Sequence, residues 1–550
     1  MPTHRVENQP PPLENYNVFE SDRALVEALA REAPGAPDDE LRALGGLAGL
    51  PEVIALGFDA NEHPPELRTH DRFGHRIDEV RFHPAWHELM RRATEYGLHG
   101  APWEDPNRYA HVRRAAKFFV WSHVESGHGC PISMTYAAVP ALRLQPEIAS
   151  AWVPAFANRD YDPRLVPIGE KGTALCGMGM TEKQGGSDVR ANTTCALAAA
   201  QPGPGNEYVL TGHKWFCSAP MCDAFLVLAQ AGAGLSCFFV PRMLPDGSRN
   251  PFAIARLKHK LGNRSNASSE IELDGTHGWL IGEEGRGVAT IVEMVNHTRL
   301  DCIVGSAGLI HEALVQAIHH ATYRRTFGAL LVDRPLMQNV LADIALEAEA
   351  AIALFMRVAR AIDDSPRDAR ATALKRLGTA VGKYYVCKRA PGVVGEALEC
   401  LGGNGYVEES IMPRLYREAP VNSIWEGSGN IQALDVLRIL QKEPQSLEAL
   451  RGEIEPAAGH ARVRAALGQL ERDLRDTQTI ESRARSIAER MALLWQASLL
   501  LQHAPASVAG TFVESRLGDG AGRTIGTLAP SADLRSIVER ASPHGAPVFT

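Results

Sequence analysis

The feature that most constrains this chain is a double change of hydrophobic period. Apolar residues recur at helical spacing from about Ser21 to Leu175, give way to short β-type runs, and return to long helical spacing beyond Gly287. The β-type runs are Tyr208-Val209-Leu210, Ala224-Phe225-Leu226-Val227-Leu228-Ala229, Ser236-Cys237-Phe238-Phe239-Val240-Pro241 and Glu270-Ile271-Glu272-Leu273, parted by Gly, Pro, Asp and Asn. With 550 residues the chain also exceeds what one hydrophobic core serves. The expected fold is mainly α with a central β-domain. It divides into an N-terminal helical domain (1–174), a middle β-domain (175–288), a helical bundle (289–441) and a C-terminal helical extension (442–550). Residues 107–128 read as one amphipathic helix. The segment 442–459, with Pro444, Pro456 and several acids, reads as a linker. Beyond it Leu467, Leu470 and Leu474 share one helical face, and a Gly-rich segment follows at 518–522.

Several chemistries are disfavoured by what the residues lack. The polar, proline-bearing start has no apolar stretch of a signal peptide, and no uninterrupted apolar run approaches membrane-spanning length, so a cytoplasmic location is expected. Nine cysteines lie scattered without a Cys-x-x-Cys pair, which reads as buried thiols. His87-Glu88 and His311-Glu312 begin like a zinc-protease helix, but Arg91 and Val315 stand where the second histidine belongs, so no metal is expected. Neither Gly177-Met178-Gly179 nor Gly402-Gly403-Asn404-Gly405 opens a helix after a clear buried strand with an acid about twenty residues on, as a nicotinamide fold requires. The net charge of −8 argues against a uniformly basic nucleic-acid binder. Residues 451–550 differ, carrying 12 Arg, no Lys and 11 acids for a net +1, against −9 for the rest. A guanidinium donates two parallel hydrogen bonds to phosphate, and it equally makes solvated surface pairs with Glu.

The stretch Ser423-Ile424-Trp425-Glu426-Gly427-Ser428-Gly429-Asn430-Ile431 sets one carboxylate beside a bulky aromatic and a turn of small residues. A general base beside a flat redox cofactor needs such a setting. Four further blocks precede it: Met180-Thr181-Glu182-Lys183-Gln184-Gly185-Gly186-Ser187-Asp188, Arg324-Arg325-Thr326-Phe327-Gly328, Leu401-Gly402-Gly403-Asn404-Gly405-Tyr406 and Arg414-Leu415-Tyr416-Arg417-Glu418.

In this order and spacing the four blocks resemble the acyl-CoA dehydrogenase family of flavoproteins. The Lys183-Gln184-Gly185-Gly186 and Trp425 variants are similar to its AidB-like branch, associated with the bacterial alkylation-damage response. The resemblance implies FAD, with Met180, Thr181 and Ser187 against the flavin ring and pyrophosphate. It places Trp215, Phe216 and Ser218 on the strand that flanks the isoalloxazine, where Phe216 replaces a usual Trp and Ser218 a usual Thr. By composition alone these could equally be sheet core. Arg324 and Phe327 match positions that reach the cofactor of a neighbouring subunit, which implies a homo-oligomer, expected to be a tetramer. Pro335 stands where a Gln is common, leaving Gln338 as its substitute. Gly402 and Gly403 would allow close backbone approach. Glu426 matches the catalytic base, amid cofactor-side Trp425, Gly427, Ser428 and Asn430. The alternative base position of the family is here Thr298-Arg299, without a carboxylate. Burial would raise the Glu426 pKa toward the working range.

Two functions follow from the resemblance. The first is an AidB-like flavoprotein that binds double-stranded DNA through its extension, with Arg438 and Arg516 as phosphate contacts, in protection from or response to alkylation damage, with weak or unknown dehydrogenase activity. The alternative is a genuine acyl-CoA dehydrogenase, acting on an acyl-CoA substrate through Glu426 and FAD, whose extension is structural.

Overall fold

The apolar runs of the middle segment form the buried heart of a closed sheet in the computed structural model, which describes residues 3–518, 522, 524–545 and 549. The chain folds as two contact units, one of residues 55–110 and 124–301 and one of 1–54, 111–123 and 302–550. They are called the sheet unit and the helical unit below.

The sheet unit opens with a hairpin, β1 (Glu66–His70) and β2 (Arg76–Arg81). Helical periodicity was expected there. Strands of charged residues such as Glu66-Leu67-Arg68-Thr69-His70, exposed or half-exposed along their length, carry no apolar alternation to reveal them. The main sheet comprises β3 (Cys176–Gly179), β4 (Cys195–Ala198), β5 (Glu207–Ser218), β6 (Ala224–Ala231), β7 (Gly234–Pro241), β8 (Ala253–Leu257) and β9 (Ser268–Ile281). Pairings β6–β7–β9–β5–β4–β6 close a ring, with β3 added parallel on β6 and β8 antiparallel on β9. Closure removes exposed strand edges. The side chains of Phe225, Val227, Phe238 and Val240 on β6 and β7 are fully buried. The single helix expected over 107–128 is instead Ala110–Ser122 followed by a break and a new helix, Gly129–Leu142. Within the sheet unit the Glu125 carboxylate fixes that break by accepting from the backbone N–H of Gly127 and His128, at 2.8 and 2.9 Å.

The helical unit is built on long helices, Pro335–Asp364, Ala369–Cys400 and Gly429–Lys442 among them. Gly287–Tyr323 is the one helix of the described residues that is long and apolar enough to cross a membrane, and 89% of its apolar window is buried inside the protein. A two-stranded hairpin, β10 (Arg325–Thr326) and β11 (Ala329–Leu330), follows it. The segment read as a linker is mostly helix, Gln445–Ile454. Pro444 sits at its N-cap, where the missing N–H costs nothing, and Ser446, Ala449, Leu450 and Ile454 are buried. The extension continues through helices Ala461–Arg475, Ala484–His503, Ala506–Leu517 and Leu534–Arg540. Asp519, Gly520 and Ala521 of the Gly-rich segment lie outside the described residues. Trp495 of the extension is fully buried, and its ring sits so close to Gly378 that a Cβ there would lie 2.7 Å from the indole. Polar ties run along the helix Pro335–Asp364: Asn339 exchanges two hydrogen bonds with the Leu528 backbone, and Arg540 pairs with Glu349.

Candidate active site

In the sheet unit, the Met180–Thr181 segment lies along the end of β5. Thr181 bridges Phe216, and the Trp215 N–H donates to the Thr181 carbonyl at 2.8 Å. A bulge makes this possible. Lys214 faces Ile271 and Cys217 faces Ser269, so Trp215 and Phe216 together oppose Glu270. Phe216 is 52% exposed and offers a ring to a ligand, and Ser218 is half-buried at the strand's end. Ser187 is exposed on the loop beyond Thr181.

This arrangement rests on two residues that the sequence reading did not single out. Glu182 and Lys214 form a fully buried ion pair at 2.6 Å, and the Lys214 ammonium also donates to the Leu228 carbonyl. Glu182 further accepts from the backbone N–H of Thr193 and Thr194. Burial pushes the Glu182 carboxyl up, but Lys214 and these N–H and hydroxyl donors outweigh it and bring its pKa down to about 2. Burial lowers the Lys214 pKa against the pull of Glu182. The pair locks the Met180–Thr181 loop to β5 across 32 residues of sequence, which no local spacing announces.

In the helical unit, Arg324, Phe327, Gly402 and Gly403 share a neighbour. The N-terminal segment reaches both turns: Asn8 exchanges hydrogen bonds with the Arg325 backbone at 2.7 and 2.9 Å, and Arg324 donates to the Asn8 carbonyl. Asn404, beside Gly402-Gly403, donates to Gln9 at 3.2 Å. Phe327 forms the hairpin tip, 99% exposed, with φ +49°. Arg334 donates to the carbonyls of Thr326 and Phe327 at 2.6 and 2.7 Å. Gln338 is spent on the Val332 carbonyl at 3.0 Å. Nothing lies within 4 Å of where a Cβ would stand on Gly402 or Gly403, so the backbone there is open to a ligand. Open glycine backbone and a presented aromatic ring suit a dinucleotide such as FAD.

Glu426 is half-buried and adopts φ +57°, a left-handed backbone that non-glycine residues rarely hold. Lys383 donates to the carbonyls of Trp425 and Gly427 at 2.7 and 2.5 Å, and Gln432 to those of Glu426 and Gly427 at 2.9 and 3.3 Å. The Trp425 indole donates to Asn422. Gly427 has φ +96°, Ser428 stands at the N-cap position of the helix Gly429–Lys442 with its hydroxyl not used as a cap, and Asn430 is exposed in its first turn. Lys383 and Gln432 carry no motif, so their part was invisible in the sequence.

The two expected phosphate contacts differ. Arg438 is 58% exposed and loosely paired with Asp435 at 3.4 Å. Arg516 is only 13% exposed and is committed to Asp343 and Glu347. Two carboxylates already satisfy its guanidinium, so the structure makes it part of the fold and takes it out of the surface expected to meet phosphate. Among the described residues no group of three His, Cys, Asp or Glu side chains is placed to hold a metal ion.

Residues 8–163 match the family model "Adaptive response protein AidB N-terminal domain", 177–276 "Acyl-CoA dehydrogenase, middle domain" and 285–441 "Acyl-CoA dehydrogenase, C-terminal domain". The chain is 46% identical to the Escherichia coli (strain K12) protein AidB over 518 residues, 94% of each chain. The crystal structure of Caenorhabditis elegans ACDH-11 in complex with C11-CoA is similar with a TM-score of 0.84 at 28% identity, covering 100% of this chain and 94% of that one. An acyl-CoA dehydrogenase from Bacillus anthracis complexed with FAD shares the fold, with a TM-score of 0.64 at 19% identity over 83% of each chain.

Proposed function

We propose, since this chain belongs to the acyl-CoA dehydrogenase family in its AidB-like branch, that Glu426 is the base of an acyl-CoA oxidation. Its cofactor is FAD. The observation that carries the reading is the clamped left-handed turn at Glu426, because strained backbone persists only where surrounding structure over-determines it, and it gathers at functional sites. The Glu426 carboxylate takes the proton α to the thioester carbonyl of an acyl-CoA. Bound FAD supplies the acceptor for the β-hydrogen. Thr181, Ser187 and Ser218 offer hydroxyls to the cofactor, Met180, Trp215 and Phe216 a wall for its ring. Arg324 and Phe327 reach the nucleotide end of a neighbouring subunit's cofactor, Gly402 and Gly403 allow close backbone approach of a dinucleotide, and Trp425, Gly427, Ser428 and Asn430 line the base's side. Gln338, already bonded to the Val332 carbonyl, is a weaker candidate. The complex of ACDH-11 with C11-CoA supports an acyl-CoA substrate. Flavin reduction by an acyl-CoA that is lost in Glu426→Gln tests the assignment; reduction that survives the change places the base elsewhere.

We divide the chain into four domains, 1–174, 175–288, 289–441 and 442–550, a division supported by family matches at 8–163, 177–276 and 285–441. Exposed Phe327 and Leu336 support assembly as a homo-oligomer, which we assign as a tetramer. A second reading concerns DNA. The likeness to AidB and to the adaptive-response domain supports double-stranded DNA as a partner, in protection of the cytoplasm's DNA from alkylation. Arg438, exposed and weakly paired, is its phosphate contact. Retention on a DNA duplex that weakens with salt, and weakens further in Arg438→Ala, tests it; salt-independent retention or none removes this reading.

A further inference from the structure

We propose that Lys383 and Gln432 are positioning residues that set the direction of the Glu426 carboxylate by holding its backbone in the left-handed region, a role that rests on Glu426 being the base. Seven non-glycine residues among those described have positive φ: Asn8, Asn15, Asp78, Ala219, Asn263, Phe327 and Glu426. Asn and Asp tolerate this region because short polar side chains bond locally. Ala219, Phe327 and Glu426 carry no such short polar side chain, and of these Phe327 and Glu426 lie in turns whose carbonyls receive donated side-chain hydrogen bonds. Each is held by the same device. At Phe327 the Arg334 guanidinium donates to two successive carbonyls, and at Glu426 the Lys383 ammonium donates to the carbonyls on either side.

At Glu426 the clamp is complete. The carbonyls of residues 425, 426 and 427 all receive a donor from Lys383 or Gln432. Neither peptide plane next to Glu426 can turn without losing a bond. The donors come from two helices, Lys383 from Ala369–Cys400 and Gln432 from Gly429–Lys442, and both side chains are essentially buried. Lys383 has no carboxylate within ion-pairing distance among the described residues, so a buried charge is devoted to neutral carbonyls. Such an arrangement is costly to maintain for stability alone, because a buried charge without a counter-ion is unfavourable. Its effect is to fix where the following side chain points, and a displacement of about 1 Å at a reacting group can cost roughly 10²-fold in rate.

The test uses FAD-loaded Lys383→Met, Gln432→Met and Lys383→Arg, each mixed anaerobically with an acyl-CoA that reduces the wild-type flavin. The limiting rate of reduction is expected to fall about 10²-fold in Lys383→Met and less in Gln432→Met. Dissociation of the acyl-CoA should stay within about twofold, and Lys383→Arg should recover part of the rate. Hydrogen exchange of residues 421–432 should rise in both Met variants. A rate within about threefold of wild type in both, with unchanged exchange, overturns the proposal. If Lys383→Met loses its FAD, Gln432→Met decides alone. If no acyl-CoA reduces the wild-type flavin, the Glu426 base assignment falls separately, and a crystal structure of Gln432→Met decides whether the clamp holds φ at Glu426 positive.

Discussion

The Glu426 turn and the seam of the C-terminal extension both depend on buried cations, but they spend them differently. Lys383 gives its ammonium to two uncharged carbonyls flanking Glu426, whereas Arg516 gives its guanidinium to the carboxylates of Asp343 and Glu347. At the seam, burial works to raise the Glu347 pKa, but Arg516 and Arg389 overcome it and hold the carboxyl below its usual range. The charges there neutralise one another and join two helices. At the turn the charge is aimed at backbone geometry. The difference teaches that one kind of buried cation serves cohesion and the other serves direction, and substitutions should separate them.

The sharpest break should come at the turn itself. Glu426→Gln is expected to slow flavin reduction by about 10²–10⁴-fold with little change in melting temperature, as read by stopped-flow absorbance and calorimetry. Arg516→Ala should do the reverse. It leaves buried Asp343 and Glu347 short of a cation, so unfolding free energy should drop by about 3–5 kcal/mol, measured by denaturant titration, while the protein that remains folded reduces its flavin at the wild-type rate.

A buried acid with no direct cation sharpens the contrast. Burial raises Glu312 to a pKa of about 7, against the opposing pull of its Gln316 hydrogen bond and Arg414. A carboxyl whose folded pKa is raised contributes stability fully below its unfolded pKa near 4.5 and loses it as pH rises through about 7. Glu312→Gln should therefore match the wild type at pH 4 and gain on it by about 3 kcal/mol at pH 8, as thermal unfolding across that range will show. The smallest effect belongs to the exposed cation. Arg438→Ala should weaken duplex binding a few-fold and lower the slope of log affinity against log salt by about 1, with flavin reduction unchanged.

The strands of the closed sheet were legible because Phe225-Leu226-Val227 and Phe238-Phe239-Val240 are continuous apolar runs buried on both faces. The hairpin Glu66–Arg81 was not, because its strands are charged and largely exposed. Residues 442–459 resemble a linker in sequence yet are mostly helix, because prolines and acids mark the start of a helix as readily as a loop. At the site, Glu426 and the glycines stood out as local patterns. Lys214 with Glu182, and Lys383 and Gln432 with the Glu426 turn, did not. Lys383 and its turn lie 42 and 44 residues apart in sequence, and their meeting is decided by packing of two helices. Arg516 was visible as an arginine in a tail rich in them, yet its two carboxylate partners lie 169 and 173 residues away.

The measurement that tests the central claim most directly is the visible spectrum of the FAD-loaded wild-type protein during anaerobic addition of short, branched and long acyl-CoAs in turn. Bleaching of the flavin band by at least one of them is the predicted result; a flavin band that none of them bleaches would contradict the assignment of Glu426 as the base of an acyl-CoA oxidation.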